Sequence, residues 1–532
     1  MTQTLSAQNP GLQHAVALHK SGRLADAAAE YRKLLDVSPQ DPRLLSGLGG
    51  VVLQMGGIDD SIKLLVRSLE IDPDQAAAFF NLGIAHTRKK QFKRALASYD
   101  RAIAIRPNFA LAYFNRGEIL EKFGRPGQAL ACFDRTLAIR PDLPMAHFKR
   151  GQLLEKLNRA DEALASFTRV LELNPSPGPS DAAIHVNCGV LLQNAKRFDE
   201  ALASYDRAIV AKPDYPEAYW FKSLALLLIG DYEQGWLLHE WRWKSSGYKR
   251  LVRNFHQPLW LGEQPVAGKT LLLHAEVGLG DSIQFCRYIS MVEALGAKII
   301  LEVPTQLVSL VQTLAGGFTV VEKGRPLPDF DLHCPAMSLP LVFKTTINSV
   351  PATIPYLHAD PGKQALWRQR LGIKDKPRIG LIWSGLMRGN IDANPAKKRS
   401  IPLRLLEPLL RLPLEFHSLQ KDYLTEDIAL LKEFTQIRTH QDELHDFSDT
   451  AALVREMDLV ISIDTSVAHL VGALGHPLWI LLPYVTDYRW TLDGATTPWY
   501  PDAKLFRQSA ISDWNGVISK VVQQLAPIFH SS

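Results

Sequence analysis

The sequence predicts a two-part fold: an α-helical repeat superhelix over residues 9–247, then an α/β module of two open parallel sheets within 268–507. Three observations carry this prediction. A phrase ending in proline returns at a fixed 34-residue step through the first half. Short, continuous apolar runs separated by helix-like segments fill the second half. Between them, "RLVRNFHQPLWLGEQPVAG" breaks the repeat pattern before the first apolar run.

In the first half, the phrase ends at Pro39, Pro73, Pro107, Pro141 and Pro175, each 34 residues after the last. Pro213 arrives four residues late, after the insertion-like "PSPGPSD". Gly83, Gly117, Gly151 and Gly189 keep the same register, as do Ala95, Ala129, Ala163 and Ala201, and the aromatics Tyr99, Phe133, Phe167 and Tyr205. This period and pattern are those of tetratricopeptide repeats, each a pair of antiparallel helices. Small residues let the helices approach, the aromatic fills the gap, and proline stops the second helix. Roughly seven such units fit. The last, "AYWFKSLALLLIGDYEQGWLLHEWRW", puts Gly235 in the alanine slot and His239 in the aromatic slot. Its surplus of tryptophan predicts a face packed on the next domain.

Repeat arrays bind partners on a concave face, so a protein or peptide partner is expected. Asn81, Asn115 and Asn187 lie two residues before the repeat glycine, where Lys149 takes the remaining turn. Amides there can grip a peptide backbone without reading its side chains; equally, asparagine is simply tolerated at that position.

A linker over 248–267 leads into an N-terminal lobe at 268–358, with strands expected in "KTLLLHAE" (269–276), "AKIILEV" (297–303), "FTVVEKG" (318–324) and "FDLHC" (330–334). A C-terminal lobe at 374–507 repeats the pattern in "RIGLIWSG" (378–385), "LEFHSLQ" (414–420), "DLVISID" (458–464) and "PLWILLP" (477–483), and a helix is expected over 508–532. Continuous apolar strands with helical crossovers argue for parallel sheets covered on both sides, hence twin Rossmann-like lobes. Ligands of such sheets sit beyond the carboxyl ends of the strands. Two motifs lie there: "GLGD" (278–281), and "ISIDTSVAHLVGALG" (461–475), whose helix is expected to start near Thr465. Backbone N–H groups at such a start suit a diphosphate. The basic "PAKKRSIPL" (395–403) offers Lys397, Lys398 or Arg399 to a leaving phosphate.

Composition bounds the function. With 532 residues, 46 % of them hydrophobic, the chain can bury several cores. A net charge of +5 from 60 basic and 55 acidic residues is too mild for a dedicated nucleic-acid binder. The four cysteines, Cys132, Cys188, Cys286 and Cys334, form no C-x-x-C pair, which suits free thiols in a reducing compartment. The start "MTQTLSAQNP" is no secretory signal, and the longest apolar run, 224–230, is too short to span a bilayer. A cytoplasmic protein without a transmembrane segment is expected.

Together, "GLGD", "KRSIP" and "IDTSVAHL" resemble the bacterial heptosyltransferases of lipopolysaccharide core assembly, over roughly residues 268–510. The resemblance implies the two-lobed glycosyltransferase-B fold and a nucleotide-diphosphate sugar as donor, without cofactor or metal. It implies that Asp281 is the base, that Arg399 contacts phosphate although Ile401–Pro402 replaces the family's W-P pair, and that Asp464, Thr465 and His469 contact the donor, with Ser466 beside them. The fusion to repeats is similar instead to bacterial repeat-plus-transferase proteins and, in layout, to the O-linked N-acetylglucosamine transferases.

Each residue also has a plainer reading. Asp281 followed by Gln284 fits a D-x-x-Q capping box. Asp464 caps its helix or binds a sugar hydroxyl, and His469 is a packed histidine or a ligand. His274 lies at the mouth of the first strand. Trp490 and Trp499 stack on a base or sugar, or belong to the core. Asp329 and Asp331 form a D-x-D inside a strand-like run and are assigned no metal. The expected function is transfer of a sugar from a nucleotide sugar to an acceptor hydroxyl, with the repeats recruiting a protein acceptor. A saccharide or lipid-linked glycan acceptor, or a non-catalytic scaffold, are the alternatives.

Overall fold

The computed structural model describes residues 10–174, 178–276, 278–385 and 398–529. Residue 9, Pro175, Lys397 and the stretch 530–532, all named above, lie outside them. The chain forms two compact units, Met1–Ser176 and Pro177–Ser532, which divide inside the proline-rich insertion.

The first unit is five helix pairs: α1 (Pro10–Lys20) with α2 (Leu24–Val37), α3 (Pro42–Gln54) with α4 (Ile58–Ile71), α5 (Ala76–Arg88) with α6 (Phe92–Ile105), α7 (Ala110–Lys122) with α8 (Pro126–Ile139), and α9 (Pro144–Lys156) with α10 (Ala160–Leu173). The periodic glycines explain the pairing. A methyl group on Gly83 would lie 2.5 Å from the Tyr99 ring, on Gly117 2.9 Å from Phe133, and on Gly151 2.8 Å from Phe167. The aromatic of the second helix therefore fills the space that the missing side chain leaves on the first. Successive pairs are tied by a periodic ion pair: Arg116 to Asp100 and Arg150 to Asp134, each at 2.6 Å.

The second unit begins with two more pairs, α11 (Asp181–Asn194) with α12 (Phe198–Ala211), and α13 (Pro216–Ile229) with α14 (Tyr232–His239). Gly189 meets Tyr205 as in the first unit, at 2.5 Å. The tryptophan-rich end packs on the α/β region as its composition predicts. Trp236 sits edge-on to Tyr488 at 5.3 Å, and the Tyr232 hydroxyl accepts a bond from Trp499 Nε1 at 3.0 Å. Arg242, fully buried, donates to both oxygens of Glu276 (3.0 and 2.9 Å) and to the Ser338 hydroxyl.

Two parallel sheets follow. β1 (Thr270–His274), β2 (Lys298–Val303), β3 (Thr319–Glu322) and β4 (Leu332–Pro335) form one, in the order β3-β2-β1-β4. β5 (Arg378–Ile382), β6 (Glu415–Ser418), β7 (Ile437–Arg438), β8 (Leu459–Ile463), β9 (Leu478–Leu482) and β10 (Lys504–Arg507) form the other, in the order β10-β9-β8-β5-β6-β7. All five residues of β5, β8 and β9 are buried, as strands covered on both faces must be. Strand order reverses between β1 and β4 and between β5 and β8. Such reversals open a crevice at the strands' carboxyl ends.

Candidate functional site

"GLGD" follows β1 at its reversal. The helix Leu279–Phe285 has Gly278 as its N-cap, so Asp281 lies in the first turn and does not cap. The capping box expected from Asp281 and Gln284 is not formed. Arg489 takes both side chains instead: Asp281 Oδ1 accepts from its Nη2 at 2.6 Å, and Gln284 Oε1 accepts from its Nε. A third acceptor, Asp487, is 3.0 Å from Arg489 Nη1. Burial works against the Arg489 charge, but the carboxylates of Asp487, Asp281 and Asp464 outweigh it and hold the guanidinium well above its usual pKa. The other oxygen, Asp281 Oδ2, folds over Gly278, where a methyl group would lie 2.3 Å from it. Gly278 is thus glycine because the carboxylate occupies the space of a side chain.

The second motif follows β8, also at a reversal. Thr465 is the N-cap of the helix Ser466–Ala473, its hydroxyl accepting from Ala468 N at 3.4 Å. The cap is therefore Thr465, and Asp464 is left to other contacts. Arg399 Nη1 donates to the Asp464 carbonyl at 3.0 Å and lies 3.5 Å from its carboxylate. The Arg399 guanidinium thus stands at the start of this helix, and the N–H groups of the first turn and a cation converge there. Lys398 is exposed.

His469 is 3.8 Å from Asp464 through Nε2, and its Nδ1 meets the Tyr500 hydroxyl at 3.0 Å. Its ring stacks on Trp490 at 5.3 Å. Burial, reinforced by nearby Arg489, drives its pKa well below the usual value, so the imidazole is neutral.

The two motifs meet. A methyl group on Gly280 would lie 2.8 Å from His469 Cδ2 and 3.4 Å from Ser466 Cα. This is a backbone-on-helix approach that only glycine permits. Asp281, Arg399, Asp464, Thr465, Ser466 and His469 are therefore gathered around one junction between the two sheets. The asparagines are not part of it. Asn81 and Asn115 are half-buried on α5 and α7 of the first unit, and Asn187 is half-buried on α11 of the second. Asn115 Nδ2 donates to the Tyr99 hydroxyl at 3.4 Å.

Other candidates turn out structural. Trp490 and Trp499 are both fully buried, so neither ring is open to stack on a ligand. Burial of His274, reinforced by His333 at 3.3 Å and Arg253, pushes its pKa down to about 3. Asp331 Oδ2 accepts from Thr270 N at 2.7 Å and starts β1. Among the described residues no cluster of histidine, cysteine or carboxylate is arranged to hold a metal ion. The central residue that sequence reasoning missed is Arg489. Its signal is a lone cation in "DYRW" (487–490), in the segment that follows β9.

Models of the tetratricopeptide repeat match residues 18–82, 82–148, 148–216 and 186–235. Protein FlbA of Caulobacter vibrioides is 28 % identical over 329 residues, 57 % of this chain and 54 % of its own. The probable UDP-N-acetylglucosamine–peptide N-acetylglucosaminyltransferase SPINDLY of Hordeum vulgare is 30 % identical over 98 residues, 17 % of this chain and 10 % of its own. The chain thus spans about half the length of the first relative and a tenth of the second. Among solved structures, YrrB, described as a tetratricopeptide-repeat protein with an unusual peptide-binding site, is 23 % identical with a TM-score of 0.34, over 36 % of this chain and 98 % of its own. MamA is 26 % identical with a TM-score of 0.28, over 30 % of this chain and 93 % of its own. The helical part of the chain is built of tetratricopeptide repeats, followed by an α/β region of parallel sheets.

Proposed function

We propose that the chain is a glycosyltransferase that moves a sugar from a nucleotide-diphosphate donor to an acceptor hydroxyl, the repeats recruiting a protein acceptor. The observation that carries this reading is the junction at Gly280, which brings the helix turn that carries Asp281 against the start of a second helix, flanked by Arg399. A base and an anion site at adjoining strand ends are the two parts such a reaction requires. The partial likeness to SPINDLY adds support.

In this mechanism Asp281 Oδ2 takes the proton of the acceptor hydroxyl as its oxygen attacks the anomeric carbon. The bond from that carbon to the diphosphate breaks, and the nucleoside diphosphate departs with the bonding pair. Arg399 and the N–H groups beginning at Ser466 receive the charge that develops on the leaving phosphate. Asp464 orients Arg399 and accepts from a sugar or ribose hydroxyl. His469, neutral, supports Asp464 and packs the junction. The twin-lobed glycosyltransferase-B architecture, with the donor on the lobe that carries Asp464, is part of this proposal. Asn81 and Asn115 in the repeats of the first unit, and Asn187 in those of the second, are each proposed to bind acceptor backbone.

The test is incubation of the full chain with a panel of radiolabelled nucleotide sugars and bacterial lysate. A labelled protein band supports the reading. Label confined to glycan transfers the acceptor to a saccharide, and no incorporation from any donor refutes glycosyl transfer.

A further inference from the structure

Asp281 is held by a residue far away in the chain. Arg489 lies 208 positions later, in the short turn after β9, and reaches across to the β1 side of the junction. Its guanidinium is fixed on several sides. Asp487 accepts from Nη1, Gln284 from Nε and Asp281 Oδ1 from Nη2, while the Tyr488 ring lies 4.6 Å from its carbon and the Phe285 ring 5.8 Å. A planar group locked in this way has one geometry to offer, and it binds one oxygen of Asp281 only. The second, Oδ2, has no hydrogen-bond partner among the described residues and is turned over the glycine at 278.

We infer that Arg489 is a positioning residue for the transfer reaction: it pins Asp281 Oδ1 from the opposite sheet, so that Oδ2 alone is presented to the acceptor and the base is complete only when the two sheets are docked. The inference rests on the proposed role of Asp281. Arg489 acts through Asp281 and touches neither donor nor acceptor. Without it, the carboxylate rotates about its side-chain bonds and shares its oxygens between several directions. A reacting group loses rate when its near-attack geometry is no longer fixed.

The test uses the full chain and the donor found active in the radiolabel panel. Arg489→Gln is expected to lower kcat at least thirtyfold while the donor KM changes less than threefold. Arg489→Lys, which keeps the charge but not the planar fork, is expected to lose only three- to tenfold. In an Asp281→Asn background, Arg489→Gln should cost no more than a further factor of two, since its effect passes through the missing carboxylate. A full thirtyfold loss in that background, a loss confined to KM, or a parental kcat for Arg489→Gln overturns the inference. If the glutamine variant fails to fold, the lysine variant decides: parental kcat at parental melting temperature overturns it. Near-parental turnover by Asp281→Asn alone defeats the proposed role of Asp281 instead, and no transfer from any donor by the parent defeats the underlying transfer reading.

Discussion

The two oxygens of Asp281 have different surroundings, and this difference can be tested from the glycine side. A methyl group at position 278 would collide with Oδ2 at 2.3 Å. Gly278→Ala is therefore expected to swing the carboxylate aside and reduce transfer at least tenfold, with the circular dichroism spectrum unchanged. A parental rate would show that Oδ2 does no work. On the donor side, Arg399→Ala should weaken binding of a nucleoside diphosphate more than tenfold by calorimetry, since a charge-assisted bond to phosphate contributes roughly 1.5–3 kcal/mol. Unchanged affinity would move the phosphate contact elsewhere. Residues next to a strand end were legible in the sequence, because "SIDTS" combines a buried strand with a capping threonine. Arg489 was not, because nothing local distinguishes an arginine that pairs 208 residues away from one that is solvated.

At the scale of elements, the repeats were the most legible part, since one physical contact recurs at one spacing. Tyr99→Ala is expected to cost about 3–5 kcal/mol, the usual result of emptying a buried aromatic site. Gly83→Ala should cost about 1–3 kcal/mol, because its methyl group would overlap the same ring. Urea titration of both variants checks the pair, and a neutral Gly83→Ala would mean that the aromatic slot has slack. Eight of the ten strands coincide with the apolar runs of the sequence, β4 passing the end of its run by one residue, to Pro335. β7 and β10 do not announce themselves: one has two residues, and the other is the edge strand "KLFR", with a charge at each end. The helix after β1 also starts earlier than the capping spacing implies, at Leu279. Asp281 and Gln284 have capping spacing, but a buried arginine competes for both side chains.

For the whole molecule, the pattern of buried histidines predicts how the chain responds to acid. His239, His274, His417, His469 and His476, all in the second unit, have pKa values pushed down by burial, to about 3 for His274 and about 4 for His417 and His476. In the first unit, His86 is also lowered by burial. Near pH 7 each is neutral folded or unfolded and contributes nothing. As pH falls below the ordinary value of 6.5, the unfolded chain takes up protons that the folded one refuses. Stability is then lost progressively towards the folded pKa, by about 1.4 kcal/mol for each of His274, His417 and His476 one unit below 6.5. Glu276, pushed up by burial, offsets part of this because the folded form takes its proton more readily. Calorimetric melts should therefore show the α/β-containing unit losing stability between pH 7 and 5 well before the first unit does. Parallel shifts of the two units would contradict this assignment. At this scale the sequence conveyed the order of the two architectures. It did not convey how the last repeat pairs join the α/β region, since the bonds of Tyr232 to Trp499 and of Arg242 to Glu276 link distant segments.

The central claim is that Asp281 is a base, and one substitution tests it most directly. Asparagine at 281 keeps the shape and still offers Arg489 an amide oxygen at the position of Oδ1, so the junction stays closed. It cannot take up the acceptor's proton. Measured with the active donor and full-length protein, Asp281→Asn is expected to lower the transfer rate at least a hundredfold, within the roughly 10²–10⁴-fold contribution of general acid–base catalysis, while donor affinity stays near parental. Turnover within a few-fold of the parent would contradict the account, leaving the Asp281–Arg489 pair as a structural tie between the two sheets and the base elsewhere.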